Sequence, residues 1–315
     1  MLTLRLRSGQ VLRILLSLIF TLTFAPPAYG EAGDKPPRYD LIIYKWVDED
    51  GSVNFTDSID RIPERYRKSA EKKNLPPSGI TFTVKHITDG DTIITTSGEK
   101  IRFLGIDAPE VASDKMPAQF FSEEAKTANK NMLEGKTIRL EFDIEKIDKY
   151  GRLLAYIFSR DGTFVNAKLI EDGNARSYFI PPNVKYYSQF KKLEKEAIKN
   201  RKGLWSEPDS IAPIPHSEAI RHIGKFRFVE GVVRSIHNAG KAVHLNFGDN
   251  PDEDFTVTIF ERDYQRFKEK GIDPSGRYTG KRVTVYGKIK LYMGAEIVVS
   301  FPEDITISGK EQKPN

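Results

Sequence analysis

Apolar and polar residues alternate with a period of two through the middle of the chain, which predicts a group of β-strands. Turn residues separate the first two strands, and longer polar segments separate the later ones. The pattern therefore predicts a mainly β unit. The predicted strands are Phe82–Ile87, Thr92–Thr96, Lys100–Ile106, Thr137–Phe142 and Leu153–Phe158.

Apolar residues spaced three and four apart predict three helices around these strands. The first covers Pro117–Leu133, and Pro117 suits its first turn. The second covers Val165–Glu171, and the third covers Lys185–Lys202. In the third helix we predict a buried stripe formed by Phe190, Leu193, Ala197 and Ile198. Its lysines are spread around the helix, so we interpret them as a solvated surface rather than a track for a polyanion.

A second alternating stretch follows a proline-containing linker and predicts a second β-rich unit. Five strands with a helix over Asp263–Lys270, between the third and the fourth, fit a small Greek-key barrel of the OB type. The predicted strands are Phe226–Ile236, Val243–Phe247, Phe255–Phe260, Arg282–Ile289 and Ala295–Val299. We expect this unit either to grip nucleic acid or to serve as a docking or structural domain. The aromatic candidates for base stacking are Phe226, Phe228, Phe247, Phe255 and Tyr292.

The residues before the first barrel predict a small unit of their own. Two alternating segments over 42–57 flank an Asp-Gly turn, which is a strong signal for a β-hairpin. We interpret Arg61–Ser78 as a short helix and a linker. The pattern of Tyr44-Lys45-Trp46-Val47-Asp48 followed by Phe55-Thr56-Asp57 resembles a domain of unknown function found near the N-termini of bacterial envelope proteins.

The first thirty residues have the composition of a secretory signal peptide. Arg5, Arg7 and Arg13 precede the apolar segment Ile14–Phe24, which is too short to span a bilayer comfortably. Small residues at Ala28-Tyr29-Gly30 offer a cleavage site. We therefore expect a secreted or periplasmic protein with no stable membrane insertion after cleavage. The alternative is an uncleaved membrane anchor.

Composition excludes several classes of site. The 315 residues contain no cysteine, which excludes disulfides, thiolate metal sites and cysteine nucleophiles. The 49 basic and 44 acidic residues give a net charge of +5. Without the three arginines of the signal peptide, 46 basic residues against 44 acidic ones leave +2. The overall charge is thus weak evidence for a polyanionic partner. The five histidines are scattered and suggest no metal site.

Carboxylates and an arginine cluster at the ends of the predicted strands. Asp91 precedes one strand, and Asp107 and Glu110 follow another, which also contains Arg102. Carboxylate oxygens beside turns suit a hard divalent cation. A nearby arginine suits a phosphate group, to which its planar guanidinium donates two hydrogen bonds. These residue types predict a metal-assisted phosphodiesterase site.

Three motifs carry a resemblance to a known family. Asp89-Gly90-Asp91-Thr92, Arg102-x-x-Gly105-Ile106-Asp107-x-Pro109-Glu110 and Asp148-Lys149-Tyr150-Gly151-Arg152 resemble the signature blocks of the staphylococcal nuclease family. The resemblance covers about 81–207, and Gly203-Leu204-Trp205-Ser206 resembles the C-terminal end of the family domain. It implies a five-stranded OB-type barrel with three helices, so the expected fold class is α+β, mainly β, with a second small OB-like barrel.

The resemblance also implies a role for each site residue. Asp91, Asp107 and the main-chain carbonyl of Ala108 would bind Ca²⁺. Ala108 stands where threonine is common, but a carbonyl ligand needs no particular side chain. Glu110 would orient or deprotonate the attacking water, and Asp89 would support the site from behind. The residues expected to contact nucleic acid are Arg102 and Arg152 at the phosphate, Lys149 and Tyr150 beside it, and Tyr178, or alternatively Phe179, at the base.

The expected function is that of a secreted, Ca²⁺-dependent nuclease that acts as a monomer on DNA and RNA and leaves 3′-phosphates. One alternative is an envelope protein that binds nucleic acid with little or no catalysis; another is an envelope protein whose hairpin docks a partner. The expected organisation is a signal peptide (1–30), a hairpin domain with linker (31–78), a nuclease domain (79–207), a linker (208–222), an OB-like domain (223–308) and a polar tail (309–315).

Overall fold

The computed structural model describes residues 41–49, 53–56, 58–75, 81–114, 117–250 and 253–308. The predicted signal peptide, the linker that follows it up to residue 40 and the polar tail (309–315) lie outside the described residues. The helices of the described segments are all too short or too polar to cross a bilayer.

The N-terminal unit is a three-stranded antiparallel sheet in the order β2-β1-β3. Strands β1 (Leu41–Val47) and β2 (Val53–Thr56) form the predicted hairpin. A short helix, α1 (Glu64–Arg67), follows, and then strand β3 (Glu71–Leu75) pairs with the other edge of β1. We had predicted a linker at β3. That prediction was wrong because β3 is rich in charged residues and shows no alternation, so only its pairing with β1 makes it a strand.

The middle of the chain forms a closed five-stranded barrel in the order β4-β5-β6-β9-β8, which confirms the expected fold class. Strand β7 (Ile106–Asp107) leaves the barrel directly after β6. The alternating apolar side chains point into the barrel, where Ile93, Ile101 and Ala155 are fully buried. The barrel strands are β4 (Thr81–Asp89), β5 (Thr92–Thr95), β6 (Lys100–Phe103), β8 (Thr137–Glu141) and β9 (Leu153–Ser159).

Three helices pack around this barrel where the spacing predicted them: α2 (Ser122–Leu133), α3 (Val165–Glu171) and α4 (Tyr187–Lys199). The prediction that Pro117 lies in the first turn of α2 was wrong, because this helix begins at Ser122. The short strand β10 (Arg176–Ser177) lies between α3 and α4 and pairs with β7. Phe190 and Ala197 of α4 are buried as expected, but so is Glu194. The interpretation of the lysines as a solvated surface was wrong for Lys191, because its ammonium group lies 2.7 Å from Glu194.

The C-terminal unit contains the predicted strands, but its hydrogen bonds form two sheets instead of one closed barrel. The segment that we predicted as one long strand is divided into β12 (Phe226–Val232) in one sheet and β13 (Ser235–Asn238) in the other. A short helix, α5 (Pro208–Ile211), and a short strand, β11 (Ile214–Pro215), precede them, and β11 pairs with β12. Apolar side chains of both sheets, such as Val257 and Val285, form the core of this unit.

The remaining elements complete the two sheets. Strands β11, β12, β16 and β19 form one sheet in the order β11-β12-β16-β19, and the other has the order β13-β14-β15-β18-β17. Helix α6 lies between β15 and β16, as predicted. The bounds are β14 (Ala242–Asn246), β15 (Thr256–Phe260), α6 (Tyr264–Glu269), β16 (Arg282–Lys288), β17 (Lys290–Tyr292), β18 (Gly294–Val298) and β19 (Ile305–Ile307).

Helix α4 joins the barrel to the C-terminal unit. The ring of Tyr187 stacks on Phe301 with centroids 3.7 Å apart, and Phe301 belongs to the hydrophobic core of the five-stranded barrel. Lys191 forms a second ion pair, at 3.1 Å, with Asp304 of the C-terminal unit. Aromatic packing and a partly buried ion pair therefore hold the two units in direct contact.

Candidate active site

Asp91 is the last residue of the β4–β5 turn, directly before β5, and the protein fixes both of its carboxylate oxygens. Its side chain is almost completely buried. Oδ1 accepts a hydrogen bond from the hydroxyl of Thr92 (3.1 Å), and Oδ2 accepts one from the main-chain N–H of Ala108 (2.8 Å). The N–H of Asp91 donates to Asp89 Oδ1 at 3.0 Å, as expected for a residue that supports the site. The carboxylate is thus oriented from both strand ends.

The turn that carries Asp91 is packed tightly against its neighbours. A Cβ atom on Gly90 would lie 2.5 Å from the Cβ of Ala108, so only glycine fits. The fully buried Asn129 of α2 donates to the carbonyl oxygen of Gly90 at 3.2 Å. Sequence reasoning missed Asn129, because a lone asparagine in a helix carries no signal for this long-range hydrogen bond.

Arg102 of β6 lies between two aspartates. Its Nη2 is 2.9 Å from Asp91 Oδ2 and 3.5 Å from Asp107 Oδ1. Its Nη1 donates to the carbonyl oxygens of Phe103 and Ile106, both at 2.9 Å. Four acceptors therefore hold the planar guanidinium in one orientation, which lysine has too few directed donors to reproduce.

The charges of this cluster do not balance. Burial raises the pKa of Asp91 well above its ordinary value, and the neighbouring carboxylates of Asp89 and Asp107 raise it further, against the opposing effect of Arg102. Burial alone would lower the pKa of Arg102, but the surrounding carboxylates outweigh it and the net shift is upward. Three carboxylates around one guanidinium leave an excess of negative charge, so this pocket favours an added cation.

A hard divalent cation fits the donor set that the sequence predicted. Asp91 and Asp107 offer carboxylate oxygens, and the buried Ala108, which directly follows Asp107, offers a main-chain carbonyl. Within the described residues, no three His, Asp or Glu side chains are grouped so as to hold a metal ion on their own. A bound ion would therefore complete its shell with the carbonyl and water, a pattern that Ca²⁺ accepts.

Glu110 lies at the rim of the same cluster and is more exposed than the aspartates. Its main chain is fixed by Gln119, whose side chain accepts from the N–H of Glu110 at 3.2 Å and whose own N–H donates back at 2.9 Å. Partial burial raises the pKa of Glu110, and Asp89 and Asp107 add to this shift, while Arg102 and Lys288 oppose it. A carboxylate with a raised pKa is suited to accept a proton near neutral pH.

The third motif forms a loop at the side of the cleft, organised by Asp148. The carboxylate of Asp148 accepts from the N–H groups of Tyr150 (2.9 Å) and Arg152 (3.0 Å) and from Arg152 Nε (2.7 Å). The ring of Tyr150 is largely exposed, and the ammonium group of Lys149 lies 5.0 Å from its centroid. The loop thus presents two cations and an aromatic face to solvent in the cleft.

Tyr178 and Phe179, the two candidates for base stacking, have different surroundings. Phe179 is buried in the core, where its ring packs against Phe190 and Phe301. The structure therefore excludes Phe179 as a base-stacking residue. Tyr178 is half-buried at the edge of the cleft and makes an edge-to-face contact with Phe226, with centroids 5.3 Å apart.

One cavity of about 1290 Å³ brings the predicted residues together. Its walls contain Trp46 and Arg61 of the N-terminal unit and Lys288 of the C-terminal unit, none of which the sequence had indicated. Asp91 and Ala108 do not line the cavity themselves. Asp91 contacts Arg102 of the wall and accepts a hydrogen bond from Ala108, which directly follows Asp107 of the wall. The predicted residues that line the cavity are Arg102, Asp107, Glu110, Lys149, Tyr150, Arg152 and Tyr178.

The aromatic residues of the C-terminal unit that the sequence suggested for base stacking differ in burial and position. Phe247 and Phe255 are buried in its core, so they do not reach a ligand. Phe228 stacks on Tyr286 with centroids 4.4 Å apart. Tyr292 is 66% exposed, and Phe226 lies beside Tyr178. Only Phe226 is close to the residues of the first cavity.

Comparison with known proteins agrees with the motifs. The model of a family described as staphylococcal nuclease homologue matches residues 100–207, a range that contains Arg102, Asp107, Glu110 and Arg152 and begins just after Asp91. A domain of unknown function, DUF4124, matches residues 43–79, which include most of the N-terminal sheet.

Individual known nucleases are also similar to this chain in sequence. The chain is 38% identical over 138 residues to a thermonuclease of Staphylococcus intermedius, an alignment that covers 43% of the chain and 82% of that protein. It is 38% identical over 129 residues to a thermonuclease of Staphylococcus hyicus, covering 40% of the chain and 76% of that protein. Similarity to endonuclease YhcR of Bacillus subtilis extends over 225 residues at 32% identity, which is 65% of the chain and 18% of that protein.

Proposed function

The chain belongs to the staphylococcal nuclease family and is a nuclease that hydrolyses phosphodiester bonds, and we propose that it is secreted, depends on Ca²⁺ and cleaves both DNA and RNA. The observation that carries the proposal is the cluster of Asp91, Arg102 and Asp107 behind one cleft, with Glu110 at its rim. The proposal assigns Ca²⁺ to Asp91, Asp107 and the carbonyl of Ala108.

A bound divalent cation supplies positive charge that neutralises a non-bridging phosphate oxygen and lowers the pKa of a coordinated water. Arg102 and Arg152 hold the scissile phosphate by donating to its non-bridging oxygens, and they stabilise the charge that grows as water adds to phosphorus. Glu110 accepts the proton of that water. The bond to the 5′ oxygen then breaks, this oxygen takes up a proton, and the product carries a 3′-phosphate.

The remaining contacts predict low sequence specificity. Lys149 and Tyr150 flank the phosphate, and Tyr178 offers an aromatic surface to a base without donors that distinguish one base from another. Contacts to phosphate position a strand but carry no sequence information. We therefore propose a monomeric enzyme that degrades nucleic acid in the periplasm or outside the cell.

The test is degradation of single-stranded DNA and of RNA by the full chain in Ca²⁺, in a chelator, and in the chelator after Ca²⁺ is restored. We expect cleavage in Ca²⁺, loss in the chelator and recovery, with products that carry 3′-phosphates and so block extension by a polymerase until a phosphatase removes them. Equal cleavage in the chelator contradicts the metal assignment. Binding without cleavage under all conditions favours the alternative of an inactive nucleic-acid-binding protein. N-terminal sequencing of exported protein, expected to begin near Glu31, tests secretion.

A further inference from the structure

A second cavity, of about 450 Å³, lies between the barrel and the C-terminal unit and borders the catalytic cleft. We call it the interdomain groove and define it by Phe120 and Arg176 of the barrel unit and by Lys225, Phe226 and Lys288 of the C-terminal unit. Asp107, Glu110 and Lys288 line both this groove and the catalytic cavity. A polymer held at Glu110 therefore has an open path into the groove.

The strand pairing explains why cations of two units meet here. Arg176 is the direct partner of Asp107 in the β7–β10 pair, which places it next to the catalytic carboxylates. Lys288 is the direct partner of Phe226 in the β12–β16 pair, so both side chains lie at the end of the sheet that faces the barrel. Lys225 precedes Phe226 at this same end.

Few direct contacts neutralise these cations, although Lys288 interacts electrostatically with Glu110 and Arg176 is the strand partner of Asp107. Among the described residues, the side chains of Lys225 and Lys288 take part in no ion pair or hydrogen bond. The Nε atom of Arg176 is buried and has no hydrogen-bond partner in the same set. Arg227, in contrast, donates to the carbonyl oxygen of Asp209 and to His222. Lys225 is exposed, whereas Arg176 and Lys288 are partly buried, so an anion that pairs with these two offsets the cost of their burial.

Aromatic residues in the groove position the cations and leave one ring accessible. The ring of Phe226 has Arg176 at 4.6 Å and Lys288 at 5.7 Å from its centroid, so cation–π contacts hold both side chains in the groove. Phe226 is therefore a positioning residue, since its face is already covered. Phe120 is 53% exposed, which leaves its ring free to stack with a base.

Resting on the proposed nuclease function, we infer that the interdomain groove binds the single-stranded segment of nucleic acid that continues beyond the scissile phosphate. Lys225, Lys288 and Arg176 contact successive backbone phosphates, and Phe120 stacks on a base. A positive groove with an accessible aromatic ring is the combination by which proteins hold single strands without sequence preference. A base in a duplex is already stacked on its neighbours, so the ring favours a single strand over a double one.

The test measures binding of a fluorescein-labelled 20-mer of thymidylate and a labelled trimer by anisotropy, using the full chain with Glu110→Gln to prevent cleavage. The double variant Lys225→Ala/Lys288→Ala removes two of the proposed phosphate contacts. We expect its Kd for the 20-mer to rise at least about tenfold at 50 mM salt, and the slope of log K against log salt to fall by about 1.4, since each contact to a single strand contributes about 0.7. Phe120→Ala is expected to raise the Kd for the 20-mer roughly tenfold without changing the slope of log K against log salt.

The matched control is Lys241→Ala/Lys281→Ala, which removes the same charge from exposed lysines of the same unit. Lys281 directly precedes β16 at the end opposite Lys288, and at about 3.3 Å per residue of strand the two lie roughly 23 Å apart. The control variant is expected to have the same Kd and the same salt slope as the parent Glu110→Gln chain, within experimental error. Equal changes in both double variants mean that net charge alone acts, and they overturn the assignment of the groove. An unchanged Kd in Lys225→Ala/Lys288→Ala also overturns the assignment of the groove to nucleic acid. That result favours a protein as the partner of this surface.

Cleavage kinetics separate failure of this inference from failure of the proposed function. With Glu110 restored, the wild-type chain is expected to show a lower KM for the 20-mer than for the trimer, and the groove variant to lose this difference. Absence of cleavage by the wild-type chain in Ca²⁺ refutes the proposed function. Cleavage by the wild-type chain with an unchanged ratio of KM values in the variant refutes the groove alone.

Discussion

The Nη2 atom of Arg102 lies 2.9 Å from Oδ2 of Asp91, so the guanidinium proposed to bind phosphate and a candidate metal ligand are in direct contact. Both side chains are largely buried, and the pair would be costly to break in a medium of low polarity. The contact also brings the two sources of positive charge, guanidinium and cation, to one point. A phosphate bound there meets both at once, which is the arrangement that a charged transition state requires.

Arg102→Lys is expected to lower kcat/KM at least about 100-fold, because lysine lacks the planar fork that contacts Asp91 and the carbonyl oxygens of Phe103 and Ile106. Steady-state kinetics and thermal unfolding measure activity and folding separately. Arg139→Lys is the control, since Arg139 packs on the ring of Phe158 outside the cleft. Near-normal turnover in a folded Arg102→Lys protein would remove the guanidinium from the mechanism.

Glu110→Gln is expected to lower kcat about 10²- to 10⁴-fold, the usual contribution of a general base. Glu110 must be ionised to accept a proton, and burial followed by nearby carboxylates raises its pKa. The activity of the wild-type chain should therefore rise with pH through a midpoint above the ordinary glutamate value of about 4.3. This rise of activity with pH should be missing in Glu110→Gln, whereas Glu123→Gln, a change at an exposed control position, should keep it. If the same rise of activity with pH persists in Glu110→Gln, another residue is the general base.

Added Ca²⁺ is expected to raise the Tm of the chain, by the equivalent of about 2.7 kcal/mol at a concentration 100 times the Kd. The raised pKa of Asp91 means that, without metal, the folded state takes up a proton more readily than the unfolded one. Ionised Asp91 therefore lowers stability as pH rises, and a cation offsets this loss. The Ca²⁺-induced shift in Tm should shrink as pH falls through that raised pKa.

Asp91→Asn is expected to abolish the Ca²⁺-induced rise in Tm, because the site loses an ionised ligand. Differential scanning fluorimetry with and without chelator measures it. Asp161→Asn provides the control: Asp161 is an exposed turn carboxylate whose pKa is lowered to about 2 by hydrogen bonds from Ser159 and Thr163. Its Ca²⁺ response should match the wild type. A full Ca²⁺ shift in Asp91→Asn would place the cation at another site.

Lys191→Met is expected to destabilise the chain by about 3 kcal/mol, since it leaves the carboxylates of Glu194 and Asp304 without their shared cation. Burial lowers the pKa of Lys191, but the two carboxylates outweigh it, so its net pKa is raised and its stabilising effect is lost only in strong base. Denaturant unfolding measures the effect. The neighbouring, exposed Lys192→Met should change the free energy of unfolding by less than about 0.5 kcal/mol. Equal effects would contradict the buried ion pair.

Local pattern determined much of this protein. Alternation located the five barrel strands, and helical spacing located α3 over Val165–Glu171 with the bounds that the structure shows. The motifs located Arg102, Asp107 and Glu110 in one cleft, because residues that flank the same strand ends come together once the barrel closes. These features depend on neighbours close in the chain or on a short pairing between strands.

Other features were decided by contacts between distant segments. Strand β3 exists because β1 offers an edge, although its own residues show no strand pattern. Lys191 and Glu194 lie on a helix whose sequence is typical of a solvated surface, and they are withdrawn from water because the C-terminal unit packs over them with Asp304. Lys288 reaches Glu110 only through this packing. The sequence by itself determined the five barrel strands, the helices around them and the motifs of the candidate site, whereas tertiary structure alone decided which charges face each other, since that depends on how the units pack and not on the period of any one segment.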